Sequence, residues 1–187
     1  MRCDERIIRH LRRIWQFNQL TQHPRPEVRS GDGLLELTVV QVNPLIPDQG
    51  VWGYATCGVH QIPTTGNRQE FVLLSPVASP VHPTTLAEVT LRYGTPGGQF
   101  TLGDVVELDQ PWLSGSQCDR FLVSRPYIID PLFEYLDLGN LCIQFSWLLP
   151  ITRQEADFLA VEGLESLESR FEQAQLRPID ATRPSVI

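Results

Sequence analysis

Lysine is absent from this 187-residue sequence, so all 15 basic residues are arginine. A P-loop holds its phosphates with a lysine, and the absence of lysine excludes that class of nucleotide site. No apolar run approaches the roughly 18 uncharged residues that a membrane-spanning helix requires. The first residues also lack an apolar run with a small-residue cleavage site. We therefore expect a soluble, cytoplasmic protein that is neither exported nor bound to a membrane.

Cysteine and histidine patterns of metal-binding proteins are also missing. The four cysteines contain no C-x-x-C pair, which argues against a disulfide framework and against a zinc knuckle. The four histidines never approach ligand spacing, and two of them neighbour prolines in predicted loops. We expect reduced, mostly buried thiols, no metal site and no cofactor. These residues are Cys3, Cys57, Cys118, Cys142, His10, His23, His60 and His82.

The charge is unevenly distributed along the chain. The formal net charge is −7, yet residues 1–29 contain seven arginines against three acidic residues, and residues 30–150 contain four arginines against twelve. Binding to nucleic acid phosphates requires clustered basic residues, so the acidic body argues against a nucleic acid ligand. A basic protein partner suits this charge better.

Residues 4–17 predict an amphipathic helix, because Ile7, Leu11 and Trp15 recur at helical spacing while arginines fill the other face. The apolar stripe either packs on the body of the domain or serves as a partner-binding, membrane-surface or assembly helix. His23 and the prolines around it are expected to end this segment. We assign residues 1–30 to this N-terminal helix and its linker, and residues 31–187 to the main domain.

The main domain alternates strand and helix patterns. Apolar and β-branched runs predict strands, and neighbouring strands joined by short loops favour an antiparallel meander. Residues 84–93 have helical periodicity, with Thr84 or Thr85 as the cap. Thr152 and Glu155 form a capping box that starts a helix broken at Gly163. These patterns predict a single α+β domain with a mixed, mostly antiparallel sheet flanked by helices, two of them C-terminal. The predicted strands are 34–42, 51–59, 70–75, 105–108, 119–124 and 141–149.

The C-terminal third carries a family pattern. A hydrophobic strand runs into Leu149-Pro150-Ile151, a [ST]-x-x-E helix start follows at Thr152, the helix breaks at Gly163, and the chain ends in Asp180 to Val186. This arrangement resembles the suppressor of fused domain. The resemblance extends upstream, with a weaker match, to about residue 34, and it does not cover the first thirty residues. The weaker matches are Thr56-Cys57-Gly58, residues 70–73, Gly103, Pro111-Trp112 and Ser116.

The resemblance implies a binding module that is not an enzyme. The animal member of the family sequesters transcription factors by clamping an extended peptide between two lobes, and this chain is too short to hold both. Single-domain bacterial members are thought to be immunity proteins that neutralise toxins. The resemblance therefore implies a bacterial, cytoplasmic protein with a protein partner, such as a basic toxin. A monomer and a homodimer are both compatible with it.

Four surfaces or sites remain open from the residues themselves. The loop at 112–117 and an exposed edge strand are candidate protein-binding surfaces, since interface anchors and strand addition favour such places. An arginine in the tail either pins the tail to a carboxylate or presents a contact. The alternative function is a hydrolase or thiol enzyme in which Cys57 and His60 meet, which requires a chain turn after Gly58. The predicted binding residues are Trp112, Ser114, Ser116, Gln117 and Arg183.

Overall fold

The computed structural model describes residues 4–15, 17, 19–30, 33–46, 50–64, 66–95 and 97–187. Within them a mixed sheet of eight strands is accompanied by four α-helices, two of them C-terminal, which confirms the α+β prediction. The helices are α1 (Glu5–Trp15), α2 (Val81–Tyr93), α3 (Arg153–Glu162) and α4 (Leu164–Gln173). The strands are β1 (Leu20–Ser30), β2 (Gly33–Ile46), β3 (Val51–Cys57), β4 (Arg68–Ser75), β5 (Val105–Glu107), β6 (Cys118–Ser124), β7 (Tyr135–Asp137) and β8 (Cys142–Thr152). Their order is β1-β2-β3-β4-β8-β6-β5, and β7 pairs with β8 outside this order.

The described chain divides into two compact units. The first contains Met1–Phe100 and Arg125–Trp147, and the second contains Thr101–Ser124 and Leu148–Ile187. Strands β1 and β2 form an antiparallel pair that extends to Ser30↔Gly33. The sheet therefore continues across the boundary between residues 1–30 and 31–187, and that division stays a prediction.

In the first unit, β1 to β4 form the antiparallel meander, and β4 runs parallel to β8 from Arg68↔Ile143 to Val72↔Trp147. Their aliphatic and aromatic side chains suit a pleated surface that is covered. Helix α2 packs against β1 to β4, and its buried face includes Leu86, Val89 and Tyr93. The meander and α2 together form the core of this unit.

The N-terminal helix is confirmed, and its apolar stripe is buried. Ile7 and Leu11 are fully buried and Trp15 is 5% exposed, while Arg9, Arg12 and Arg13 are exposed. The Trp15 ring stacks on Phe133 at 5.0 Å between centroids. This placement favours the expectation that the stripe packs within the chain.

In the second unit, β5 and β6 form an antiparallel pair, and α3 packs against both α4 and β6. Thr152 caps α3 by accepting from the Glu155 N–H, and the Glu155 carboxylate accepts in return from the Thr152 N–H at 2.8 Å. This geometry is the predicted capping box. Gly163, at a φ of +83°, separates α3 from α4, as its position in the sequence indicated.

Several local predictions were wrong. Strand β1 occupies the segment that was expected to be a loop, so His23 lies in a strand, where its Nε2 lies 2.9 Å from Gln41 Oε1. His82 lies inside α2 and is buried. That helix begins at Val81 after Pro80, with no side-chain cap, so neither Thr84 nor Thr85 starts it. Prolines misled these assignments because a strand at the sheet edge and a first helical turn both tolerate proline.

The helices that the structure describes are all too short or too polar to cross a lipid bilayer.

Candidate protein-binding site

The loop that leads into β6 is closed on itself by buried hydrogen bonds. Trp112 is 2% exposed, and its indole Nε1–H donates to Ser116 Oγ at 3.0 Å. The same oxygen accepts from the Cys118 N–H at 3.1 Å, and the Trp112 N–H donates to the Cys118 carbonyl. Gly115 supplies the turn with a φ of +81°, which a side chain would strain. The loop is thus a fixed turn whose shape does not depend on a partner.

The predicted binding residues divide into exposed and buried groups. Ser114 and Gln117 are exposed, whereas Trp112, Ser116 and Arg183 are at least nine-tenths buried. A partner at this loop would contact the first group, while Trp112 and Ser116 support the backbone beneath. Binding at these residues stays a prediction.

Acidic side chains surround the strand that follows this loop. The Arg120 guanidinium pairs with Asp119 at 2.5 Å and with Glu107 at 3.0 Å, and the Glu107 side chain is 74% exposed. The hydrogen bond that Arg120 donates to Asp119, with the further pairing to Glu107, raises the pKa of Arg120. The Arg153 guanidinium also lies 3.9 Å from Asp119, so two guanidinium groups match the two carboxylates of the β5–β6 pair.

Arg183 pins the C-terminal tail. It donates to both carboxylate oxygens of Glu155, at 2.7 and 2.8 Å, and to the Pro150 carbonyl at 2.9 Å. Glu155 is fully buried and also accepts from the Val186 N–H at 3.1 Å. Of the two roles expected for this arginine, the geometry favours pinning the tail. A bidentate pair of this kind fixes orientation as well as position.

The tail pair lies near the end of the loop. Burial raises the pKa of the Cys118 thiol, while the charge of Arg183 lowers it and that of Glu155 raises it. The structure therefore brings Arg183 towards the Trp112–Cys118 loop, although its side chain is turned into the protein. Cys118 is a free, buried thiol, as expected, but Cys142 is exposed.

The Cys57–His60 segment turns around a buried carboxylate. Glu70 is fully buried and accepts hydrogen bonds from Thr56 Oγ1 at 2.6 Å, from the Gly58 N–H at 2.9 Å and from His60, whose Nδ1 lies at 2.5 Å. The chain does turn after Gly58, into a 3₁₀ helix over Val59–Gln61. Sequence reasoning missed Glu70, although one acidic residue within an apolar strand signals a satisfied buried carboxylate.

Cys57 corrects the expectation of reduced thiols, because it is disulfide-bonded. It is 3% exposed, and its Sγ accepts from the Asp4 N–H at 3.1 Å. A thiol enzyme needs a thiolate as its nucleophile, and an oxidised sulfur cannot supply one. The His60–Glu70 pair can orient an imidazole, but it lacks a free thiol beside it. Cys3, the remaining cysteine of the sequence, lies outside the described residues.

An open groove of about 520 Å³ lies between α3 and α4. The Arg170 guanidinium lies 5.7 Å from the centre of the Phe158 ring on its wall. Neither Cys57 nor His60 belongs to its lining, which is Phe158, Glu162, Ser166, Ser169, Arg170 and Gln173. In the described part of the chain, no three His, Cys, Asp or Glu side chains are grouped so that they could hold a metal ion.

Comparison with known proteins gives one family. The model of the suppressor of fused protein family matches residues 33–184, and no curated protein matches the sequence. The crystal structure of a suppressor of fused homologue from Neisseria gonorrhoeae is 32% identical, with a TM-score of 0.85 over 98% of this chain and 96% of that one.

Two more distant structures share the fold. That of the Sufu–Fu complex has a TM-score of 0.71 at 13% identity and covers 97% of this chain and 91% of the matched chain. Drosophila Suppressor of Fused has a TM-score of 0.72 at 14% identity and covers 96% of this chain and 50% of its own. The family model and the Neisseria homologue confirm the resemblance carried by the C-terminal motif: this chain belongs to the suppressor of fused family.

Proposed function

We propose that this chain is a non-catalytic protein-binding module whose partner is a basic protein, and that it acts in the cytoplasm as an immunity protein that neutralises a toxin. Membership of the family supports the first part, because the structure of the Sufu–Fu complex contains a protein of the same fold bound to another protein. Charge supports the basic partner, since the formal net charge is −7.

The observation that carries the proposal is the fixed loop at residues 112–118. Its backbone is held by Trp112 and Ser116 before any partner arrives, so ordering it on binding costs little conformational entropy. It presents the exposed side chains of Ser114 and Gln117 next to the β5–β6 pair. A preformed turn with exposed polar side chains suits recognition of a protein surface, and the net charge of −7 favours a basic one.

The test starts with capture and ends with purified components. The tagged chain is expressed in its own host, the captured protein is identified and purified, and the affinity is measured by calorimetry at two salt concentrations. We expect weaker binding at the higher salt concentration, because charge attraction between exposed groups is screened. Co-expression with the captured protein should restore growth if that protein is toxic.

Paired variants locate the surface. Replacing Ser114 and Gln117 with alanine should weaken binding at least about tenfold if they are central contacts, whereas Gln173→Ala, an exposed change on α4, should not. Equal affinity for all three proteins would remove the loop from the interface. Growth that the chain does not rescue would contradict the immunity role while leaving protein binding intact.

The alternative function, a hydrolase or thiol enzyme, is favoured by one contact, the 2.5 Å pairing of His60 with Glu70. It requires reduction of the Cys57 disulfide first. Hydrolysis of generic ester and peptide substrates that appears only with reductant, and is lost in Cys57→Ser, would support the enzyme. The binding proposal predicts no such difference between the wild type and Cys57→Ser.

A further inference from the structure

Strand β7 has one paired edge and one open edge. Within the described strands it pairs only with β8, in the register Tyr135↔Gln144, Leu136↔Ile143 and Asp137↔Cys142. The Phe145 N–H donates to the Glu134 carbonyl and the Leu138 N–H donates to the Leu141 carbonyl, both at 2.8 Å. Because antiparallel ladders alternate, the inward groups belong to even-numbered residues. The N–H and C=O groups of Tyr135 and Asp137 therefore point away from β8.

Large apolar side chains lie beside this open edge. Leu132 is 65% exposed and Tyr135 is 46% exposed. They are three positions apart in the chain, which limits the distance between their Cα atoms to about 10 Å. Tyr127 and Ile128, earlier in the same segment, are also exposed. Tyrosine and other bulky side chains at exposed edges are the common anchors of interfaces.

The backbone that carries the anchors Leu132 and Tyr135 is held by local hydrogen bonds and packing. Leu132 belongs to a 3₁₀ helix whose first turn is capped by Asp130, with Oδ1 accepting from the Leu132 N–H at 2.8 Å. The neighbouring Phe133 is fully buried, 5.1 Å from the Phe145 ring between centroids. At the other end of β7, Asp137 Oδ1 accepts from the Gly139 N–H. The edge is thus preorganised for pairing.

Charge decides which strand this edge fits. Residues 128–140 contain Asp130, Glu134 and Asp137 and no basic residue. Glu134 is paired with Arg125 at 3.8 Å, so a second copy paired edge to edge would bring together the Asp130 and Asp137 carboxylates of both copies, and like charges on opposed strands are destabilising. A strand that carries arginine or lysine would meet those carboxylates favourably. The charge pattern disfavours self-pairing and favours a basic partner.

We propose that the open edge of β7 accepts an extended segment of a partner protein, which adds a strand to the sheet and carries an apolar and a basic residue two positions apart, on one face. Its backbone pairs with Tyr135 and Asp137, whose side chains lie on the same face of β7 because they are two residues apart. On that face its apolar side chain covers Tyr135 and its basic side chain faces Asp137. The inference rests on the proposed function, because it assigns an interface and a strand chemistry to the same partner. Strand addition of this kind takes affinity from backbone pairing and specificity from side chains.

The test uses a blocked synthetic peptide, Arg-Thr-Val-Thr-Arg-Thr-Val, which places arginine and valine on the same face of a strand, and the same peptide with glutamate in place of arginine. In an NMR titration of the intact chain, the arginine peptide should shift the amides of Tyr135 and Asp137 and protect them from hydrogen exchange. The Leu136 amide, already turned towards β8, should gain no protection. The glutamate peptide should bind at least about tenfold more weakly.

Three variants give the controls. Leu132→Ser with Tyr135→Ser should weaken peptide binding about tenfold or more by removing both anchors. Val161→Ser removes a side chain that is 80% exposed on α3 and should change nothing. Asp130→Asn with Asp137→Asn keeps both oxygen acceptors that cap the turns, yet it should remove the preference for the arginine peptide.

Peptide shifts that avoid β7, or equal binding by the anchor and control variants, would overturn the inference. So would a concentration-dependent dimer in sedimentation that the anchor variant abolishes, because the edge would then bind a second copy. If the anchor variant captures the host partner as well as the wild type does, the inference fails and the proposed function survives. A wild type that captures no partner counts against the proposed function, and the peptide result then stands by itself.

Discussion

At the scale of single residues, one substitution in the Arg183–Glu155 pair should cause the largest loss in the free energy of unfolding. Arg183→Ala leaves a fully buried carboxylate without its counter-charge, and removing one partner of such a pair typically costs about 3–5 kcal/mol. Two backbone N–H groups still donate to Glu155 in the variant, so we expect a loss at the lower end of this energy range. Urea unfolding should show this loss, whereas the exposed Arg177→Ala should stay within about 0.5 kcal/mol of the wild type.

His82 should make stability depend on pH. Burial lowers its pKa from 6.5 to about 4. Between these pH values the imidazole is therefore protonated in the unfolded chain and neutral in the folded chain. The contribution of neutral His82 to the free energy of unfolding is therefore fully present above about pH 6.5. It is lost as the pH drops towards 4, by about 3 kcal/mol in total. Burial also lowers the pKa of His10, which acts in the same direction.

The measurement is urea unfolding at several pH values between 4 and 7. The matched protein is His82→Asn, which should be less stable at neutral pH but should lose less stability on acidification. An identical slope in both proteins would show that other groups, such as carboxylates, cause the pH dependence.

Single residues also show the limits of reading the sequence. Thr152 and Glu155 were recognisable because a capping box is a local, four-residue pattern. The second partner of Glu155 was not recognisable, because Arg183 comes from 28 residues away and only the fold decides that they meet. The same holds for Glu70 and His60, which lie ten residues apart and meet only after the chain turns.

At the scale of elements, the segment after β3 depends on one glycine. Gly58 has a φ of +133°, and a Cβ there would lie 2.4 Å from the Glu36 carbonyl oxygen. Gly58→Ala should cost about 1–3 kcal/mol from backbone strain, with the steric overlap in addition. Gly66→Ala is the control, because its nearest neighbour is 3.9 Å away. Equal melting temperatures for the two variants would contradict this account.

Helix α1 should behave as part of the core. Leu11→Ala removes a fully buried side chain and should cost about 2–5 kcal/mol, while Arg9→Ala on the exposed face should cost little. Deletion of residues 1–17 should lower stability and leave the mass of the particle in solution consistent with the same number of chains. A deletion that dissociates an oligomer without destabilising the chain would instead make α1 an assembly helix.

Elements with strong periodicity were predicted well from the sequence. The four helices, the meander and the strand pattern of β8 follow from side-chain spacing, which acts within one element. Strands β1 and β7 escaped prediction for different reasons. Two prolines interrupt β1, which is tolerated at the edge of the sheet, and β7 has only three residues and pairs through a short hairpin.

At the scale of the whole molecule, the redox state of the chain can be checked directly. Alkylation of the folded protein without reductant should modify the exposed Cys142 and spare Cys57, which is disulfide-bonded. Cys118 should react only after unfolding, because it is buried and burial raises its thiol pKa. Peptide mass spectrometry gives the three results separately, and protein taken from cells tests whether Cys57 is oxidised in its own compartment.

Charge organises the molecule on the same scale. The exposed arginines of α1 and the acidic remainder give the surface regions of opposite sign. The fold class and the family followed from the sequence, because patterning and the C-terminal motif are properties of the chain itself. The partner did not follow, since an interface depends on a second molecule.

The Arg183–Glu155 pair, which joins the start of α3 to the tail, also has an evolutionary consequence. Substitution of either Glu155 or Arg183 alone leaves the other charge buried without its partner. Each single substitution therefore destabilises the protein, whichever of the two comes first. Related chains should therefore keep both charges or replace both together. The start of α3 and the C-terminal tail should then show correlated substitutions at these two positions.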